Sequence, residues 1–142
     1  MTPKEYLNQY GAIERNIKMM EEEKERCRRR ALRITPSYQP VIGSSGGISD
    51  PVARAVEKME QWEKKIIAEI DRLYDLRQEI EEVIGAVPDP IQRELLRRRY
   101  ISLQSLEKIA VEMNYSYRQI LRLHGLGLQQ ITVPDRMAHH VT

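Results

Sequence analysis

Arg118, Gln119 and Arg122 bring two guanidinium groups and a carboxamide together within little more than one helical turn, and Tyr117 precedes them. None of these side chains is a strong nucleophile or a usual metal ligand. Their chemistry is recognition: Arg binds guanine bidentately or anchors a phosphate, and Gln pairs its amide with adenine. On a helix, Tyr117, Arg118, Gln119 and Arg122 point away from Ile120 and Leu123, which leaves one polar stripe and one apolar stripe. A helix that docks on its neighbours while facing base edges and phosphates needs that division.

The residues just before supply the means of holding such a helix. Ile109 and Ala110 mark the inner face of a first short helix that ends at Met113. Asn114 falls where the chain must turn sharply, and Asn tolerates left-handed backbone better than most residues because its short amide bonds locally. Tyr115 packs the turn, and Ser116 is placed to cap the next helix by accepting from a free backbone N–H. Leu106 to Gly125 thus reads as a helix-turn-helix, with Ser116, Tyr117, Arg118, Gln119 and Arg122 as its DNA-facing residues. An ordinary helical hairpin packed on its neighbours is the competing reading.

A further helix precedes this pair. Val87-Pro88-Asp89-Pro90 is a hard boundary, with Asp89 as cap and Pro90 in the first helical position. Ile91, Leu95, Leu96 and Tyr100 form its inner face, and Arg93, Arg97, Arg98 and Arg99 lie mostly outside. Arg97, Arg98 and Arg99 are candidates for neutralising phosphates, or else they form a solvated face. Net charge is only +2, but it is unevenly spread. Between Ile91 and Arg122, seven basic residues (Arg93, Arg97, Arg98, Arg99, Lys108, Arg118, Arg122) face three acidic ones (Glu94, Glu107, Glu112). The first 87 residues are nearly balanced.

Those first residues read as two long helices. Thr2-Pro3-Lys4-Glu5 has the form of a capping box, and Tyr6, Tyr10, Ile13, Ile17, Met20, Cys27, Ala31 and Ile34 follow as one apolar seam that Lys24 interrupts and Pro36 ends. Asp50-Pro51 opens the second helix. Val52, Met59, Ile66, Leu73, Ile80 and Val87 recur every seven residues, Ala55, Trp62, Leu76 and Val83 fill most half-heptads, and Glu69 breaks the set once. Val56, Ile70 and Ile84 widen the stripe. A helix of this length spans about 50 Å and needs a partner, for which the first helix is the obvious choice and a second copy of the chain a further one. The expected fold is all-α: a long antiparallel, coiled-coil-like hairpin over 1–87 with a flexible loop at 35–50, a three-helix domain over 88–130, and a tail over 131–142.

Composition excludes several classes. Charged residues make up 31% and aromatics 6%, with no Phe, which suits long helices with narrow seams better than one large core. Cys27 is the single cysteine, so no disulfide closes within the chain. No apolar run is long enough to span a bilayer, and the expected location is the cytoplasm. The Gly-Ser stretch at 43–47 lacks the Lys-Ser or Lys-Thr of a phosphate loop. His139 and His140 have no ligand partners at metal spacing, and His124 reads as a DNA-facing or capping residue. No nucleophile–base constellation is visible, so neither an enzyme, a cofactor nor a metal is expected.

Arg99-Tyr100-Ile101, Ser105-Leu106-Glu107-Lys108-Ile109-Ala110 and Tyr115 to Gly125 together resemble the C-terminal module of small phage and prophage proteins of Gram-positive bacteria. That module is similar to region four of bacterial sigma factors, and ArpU- and RinA-type late-gene regulators share it. The opening Met1-Thr2-Pro3-Lys4-Glu5-Tyr6-Leu7 also resembles these proteins. The resemblance implies a transcription regulator in the cytoplasm of a bacterial host. Arg118, Gln119 and Arg122 would lie in the major groove, Tyr117 close to the DNA backbone, and RNA polymerase would be a second partner. Leu103 departs from the pattern, standing where relatives usually have Gly, and Leu121 and Leu126 stand where sigma factors often carry charge. Two other functions remain open. Small terminase subunits of phages also join such a module to oligomerising helices, and the basic run Arg26 to Arg33 suits a coiled-coil adaptor that binds protein alone.

Overall fold

The computed structural model of the chain describes residues 1–37 and 50–135. Among them are five helices and no strand: α1 Pro3–Ser37, α2 Asp50–Gly85, α3 Pro90–Tyr100, α4 Leu106–Met113 and α5 Tyr117–Gln129. The fold is all-α, as the periodicity requires. Residues 38–49, most of the expected loop, and residues 136–142, with His139 and His140, lie outside the described residues.

The helix starts follow from local hydrogen bonding. Thr2 and Glu5 exchange bonds, Glu5 N–H to Thr2 Oγ1 at 3.1 Å and Thr2 N–H to Glu5 Oε2 at 3.4 Å, which satisfies two free donors at the start of α1. Asp89 holds extended backbone and accepts from the N–H groups of Ile91 (2.8 Å) and Gln92 (3.3 Å) at the head of α3. The expected stop at Pro36 is early by one residue, since α1 reaches Ser37. Helix ends are soft to that extent.

Contacts divide the chain into two compact units, 1–13 with 73–142 and 14–72. The boundary expected at 87/88 falls inside the first of these units. Tyr6, Leu7, Tyr10 and Ile13 of α1 and Leu76, Ile80, Ile84 and Val87 are buried in the first unit together with Leu95, Leu96 and Tyr100. Three short helices alone cannot bury enough apolar surface to be stable, and this unit recruits the ends of the long helices to complete its core. The expected tail also begins too early, because Ile131 is buried and Val133 and Pro134 are half-buried.

In the second unit α1 and α2 run antiparallel. Asn16 Nδ2 donates to Glu69 Oε2 at 3.3 Å, and Lys24 pairs with Glu63. Lys24 and Glu69 are the two residues that break the apolar seams, and each is answered by a polar group of the other helix. Ile17, Met20, Ala55 and Ile66 are buried between them. Val56, Ile67 and Ile70 stay exposed, so the broad side of the stripe is only partly covered by α1. Arg26, Arg28 and Arg29 are paired locally with Glu23 and Glu25, which neutralises part of the Arg26–Arg33 run.

Candidate nucleic-acid interface

Leu95 of α3, Ile109 and Ala110 of α4 and Ile120 of α5 form one buried cluster, with Leu106, Met113, Tyr115 and Leu123 packed against it. This cluster fixes which face of α5 turns outward. Ala110 leaves room at the contact, and Gly127 does the same on α3, where an added Cβ would meet Leu96 Cδ1 at 3.3 Å.

Between α4 and α5 the chain turns as its residues require. Asn114 adopts φ 60° and ψ 41°, in the left-handed region. Its N–H reaches Val111 O at 3.3 Å, and the Tyr115 N–H reaches Ala110 O at 3.0 Å. This pair of bonds closes a helix in the Schellman manner, and Tyr115 packs back on the cluster as such a closure favours. A second left-handed residue was not expected from sequence. Leu103, before α4, sits at φ 57°. The turn keeps the geometry that Gly adopts at no steric cost, although Leu occupies it. The Gln104 N–H bonds Arg98 O and the Arg99 guanidinium bonds Gln104 O, both at 3.0 Å, which pins the loop.

Leu103→Gly should therefore stabilise the chain by about 0.5–1 kcal/mol, as relief of left-handed strain outweighs glycine's entropy. Asn114→Val should cost about 1–2 kcal/mol, because a β-branched residue is worst in that conformation. Thermal unfolding of both variants measures this; a destabilised Leu103→Gly protein would contradict the turn described.

Ser116 caps α5. Its Oγ accepts from the Gln119 N–H at 3.1 Å, and Gln119 Oε1 accepts from the Ser116 N–H at 3.0 Å. The cap expected at Ser116 is present, and Gln119 completes it as a capping box. The Ser116 hydroxyl is engaged in holding the helix start, and the Gln119 amide oxygen is occupied. Bidentate pairing with adenine needs both ends of the amide and so requires the box to open. The signal was legible in the spacing Ser116-x-x-Gln119.

The arginines separate into two groups. Arg97 Nε bonds Glu81 Oε2 at 3.1 Å. Arg98 bonds Glu94 on its own helix and Glu112 of α4, and so clamps α3 to α4. Arg99 holds Gln104 O, and Arg93, half-buried, donates to the carbonyls of Val87 (2.7 Å) and Pro88 (3.0 Å). The candidate phosphate-binding or solvated residues Arg97, Arg98 and Arg99 thus join elements of their own unit. Arg118 and Arg122 differ. Both are exposed, and neither has an ion-pair partner among the described residues. α5 contains no Asp or Glu. Tyr117, at the helix start, is 46% exposed.

His124 faces inward, which corrects its expected DNA-facing or capping role. Its ring stacks on Tyr100 with centroids 5.7 Å apart, and Nε2 lies 2.7 Å from the Tyr100 hydroxyl. Burial pushes the His124 imidazole below its ordinary value, with Arg99 and Lys4 adding to the shift, and burial raises the Tyr100 hydroxyl. The neutral ring is thus favoured, and its tautomer sets which of the two groups donates. In the unfolded chain His124 takes up a proton near pH 6.5, whereas the folded chain resists until lower pH. Stability therefore falls as pH drops below the ordinary value. A melting series from pH 7.5 to 5 should show this decline, and His124→Gln should flatten it; an equal slope in both proteins would refute the assignment.

No family model, no curated protein and no solved structure matches the chain. Among the described residues no group of three His, Cys, Asp or Glu is placed to hold a metal ion, and no helix is long and apolar enough to cross a membrane.

Proposed function

We propose that the protein binds double-stranded DNA in a sequence-specific way and regulates transcription, with α5 as the helix that enters the major groove. The observation that carries this reading is the contrast among the arginines. Arg93, Arg97, Arg98 and Arg99 are engaged within their own unit, while Arg118 and Arg122, one turn apart on a helix without acidic residues, have no ion-pair partner among the described residues. Two exposed guanidinium groups on a docked, acid-free helix suit the phosphates and guanine edges of a duplex. The resemblance to the sigma region-four-like module of phage late-gene regulators supports a role at phage or prophage promoters, with RNA polymerase as a further partner.

One such helix makes few contacts, and tight binding needs either a second protomer or a second protein. The exposed Val56, Ile67 and Ile70 support self-association through the long helices. That same observation favours a second reading, a DNA-packaging oligomer of the small-terminase kind. Selection of duplexes from a random pool tests the first reading: enrichment of a discrete motif is expected, and loss of all enrichment at physiological salt rejects it. The mass of the particle in solution separates the two, a monomer or dimer for regulation and a ring of many subunits for packaging.

A further inference from the structure

Two glycines lie near the end of α5, and the fold accounts for only one of them. Gly127 is buried, and its missing Cβ lets α5 close on Leu96 and Gln92 of α3. Gly125 is exposed, and a Cβ there would meet nothing within 4 Å. No left-handed backbone demands glycine at this point, since Gly125 lies inside α5 without a positive φ. Glycine inside a helix is unfavourable relative to alanine. The folded chain gains nothing visible from bearing that cost.

Position on the helix supplies a reason. At about 100° per residue, Gly125 lies on the pole opposite the buried Ile120. It shares that pole with Arg118, two turns before it, with Arg122, one turn before it, and with Gln129. It is thus the gap in the side-chain cover of a face whose two guanidinium groups have no ion-pair partner among the described residues. A residue without a side chain serves where a backbone must approach a ligand closely.

We infer that Gly125 is the point of closest approach between the backbone of α5 and the duplex, and that its missing side chain sets how deeply the face bearing Arg118 and Arg122 seats. This inference rests on the proposed DNA-binding role and deepens it. The partner is double-stranded DNA because the pole is cationic and acid-free; an acidic protein surface is the alternative that the test excludes.

The test sets stability against affinity. Gly125→Ala should raise the melting temperature by roughly 2–4 °C and weaken binding to the selected duplex about tenfold, as an added methyl does in a close-packed contact. The salt dependence of binding should not change, because no cation is removed. Gly85→Ala, another exposed helical glycine with open space around it, should leave affinity unchanged. Gly125→Ala with wild-type affinity, or with a lowered melting temperature, would overturn the inference while leaving the regulator reading intact. Failure of the wild-type protein to select any duplex would remove both.

Discussion

Replacing Arg118 and Arg122 together with Ala is expected to weaken binding to a selected duplex by on the order of a hundredfold to a thousandfold, since each bidentate contact is worth about 1–3 kcal/mol. The folded state should hardly notice. Both side chains are exposed and without ion-pair partners among the described residues, and such surface changes usually stay within about 0.5 kcal/mol. The single variants divide the roles. An arginine on a phosphate lowers the slope of log affinity against log salt by about 0.9 and weakens all sequences alike. An arginine on a guanine leaves more of the slope and relaxes preference at one position. Arg98→Ala is the contrasting case, because it breaks the clamp between α3 and α4 and should register in melting. Titrations at several salt concentrations, with melting curves alongside, give all these values. Unchanged affinity and slope in the double variant would refute the assignment of α5 as the DNA-facing helix.

Ile120→Ala is expected to cost about 2–5 kcal/mol, the range for truncating a fully buried aliphatic side chain. Ile120 is 0% exposed and shares its cluster with Leu95, Ile109 and Ala110. Three helices would therefore lose contacts at one point, and the cavity has few ways to collapse. At roughly 2–4 °C per kcal/mol, the melting temperature should drop by about 10 °C. DNA binding should fall with the folded fraction and recover on cooling, a temperature dependence that loss of a contact residue does not produce. Chemical denaturation gives the free energy directly. A cost under about 1 kcal/mol would show that Ile120 does not anchor α5.

The sequence was most informative where local rules act alone. Asp89, Ser105 and Ser116 cap helices because their oxygens reach free N–H groups within three residues. Asn114 turns left because its neighbours close α4 on both sides. The apolar seams identified Tyr6, Tyr10, Ile17, Ile66 and Ile80 as interior. The sequence is less informative where a polar side chain has more than one use. Gln119 has an amide that suits a base edge, and at the third helical position after Ser116 it also completes a capping box. Arg97 and Arg98 carry charge that suits phosphates, and carboxylates of α2, α3 and α4 pair with it. His124 was read by helical position, and Tyr100, distant in sequence, turned its chemistry inward.

From sequence alone follow the helices, their caps, the sharp turn at Asn114 and the grouping of Arg118 and Arg122 on one side of α5. Each is a matter of backbone geometry over a few residues, which neighbouring side chains govern. The tertiary structure alone decides which arginines remain free, that Leu103 takes a glycine-like conformation, that the ends of α1 and α2 join the core of the short helices, and that Gly125 faces open space while Gly127 does not. These depend on which carboxylates, carbonyls and apolar side chains arrive from distant parts of the chain, and no local pattern encodes that meeting.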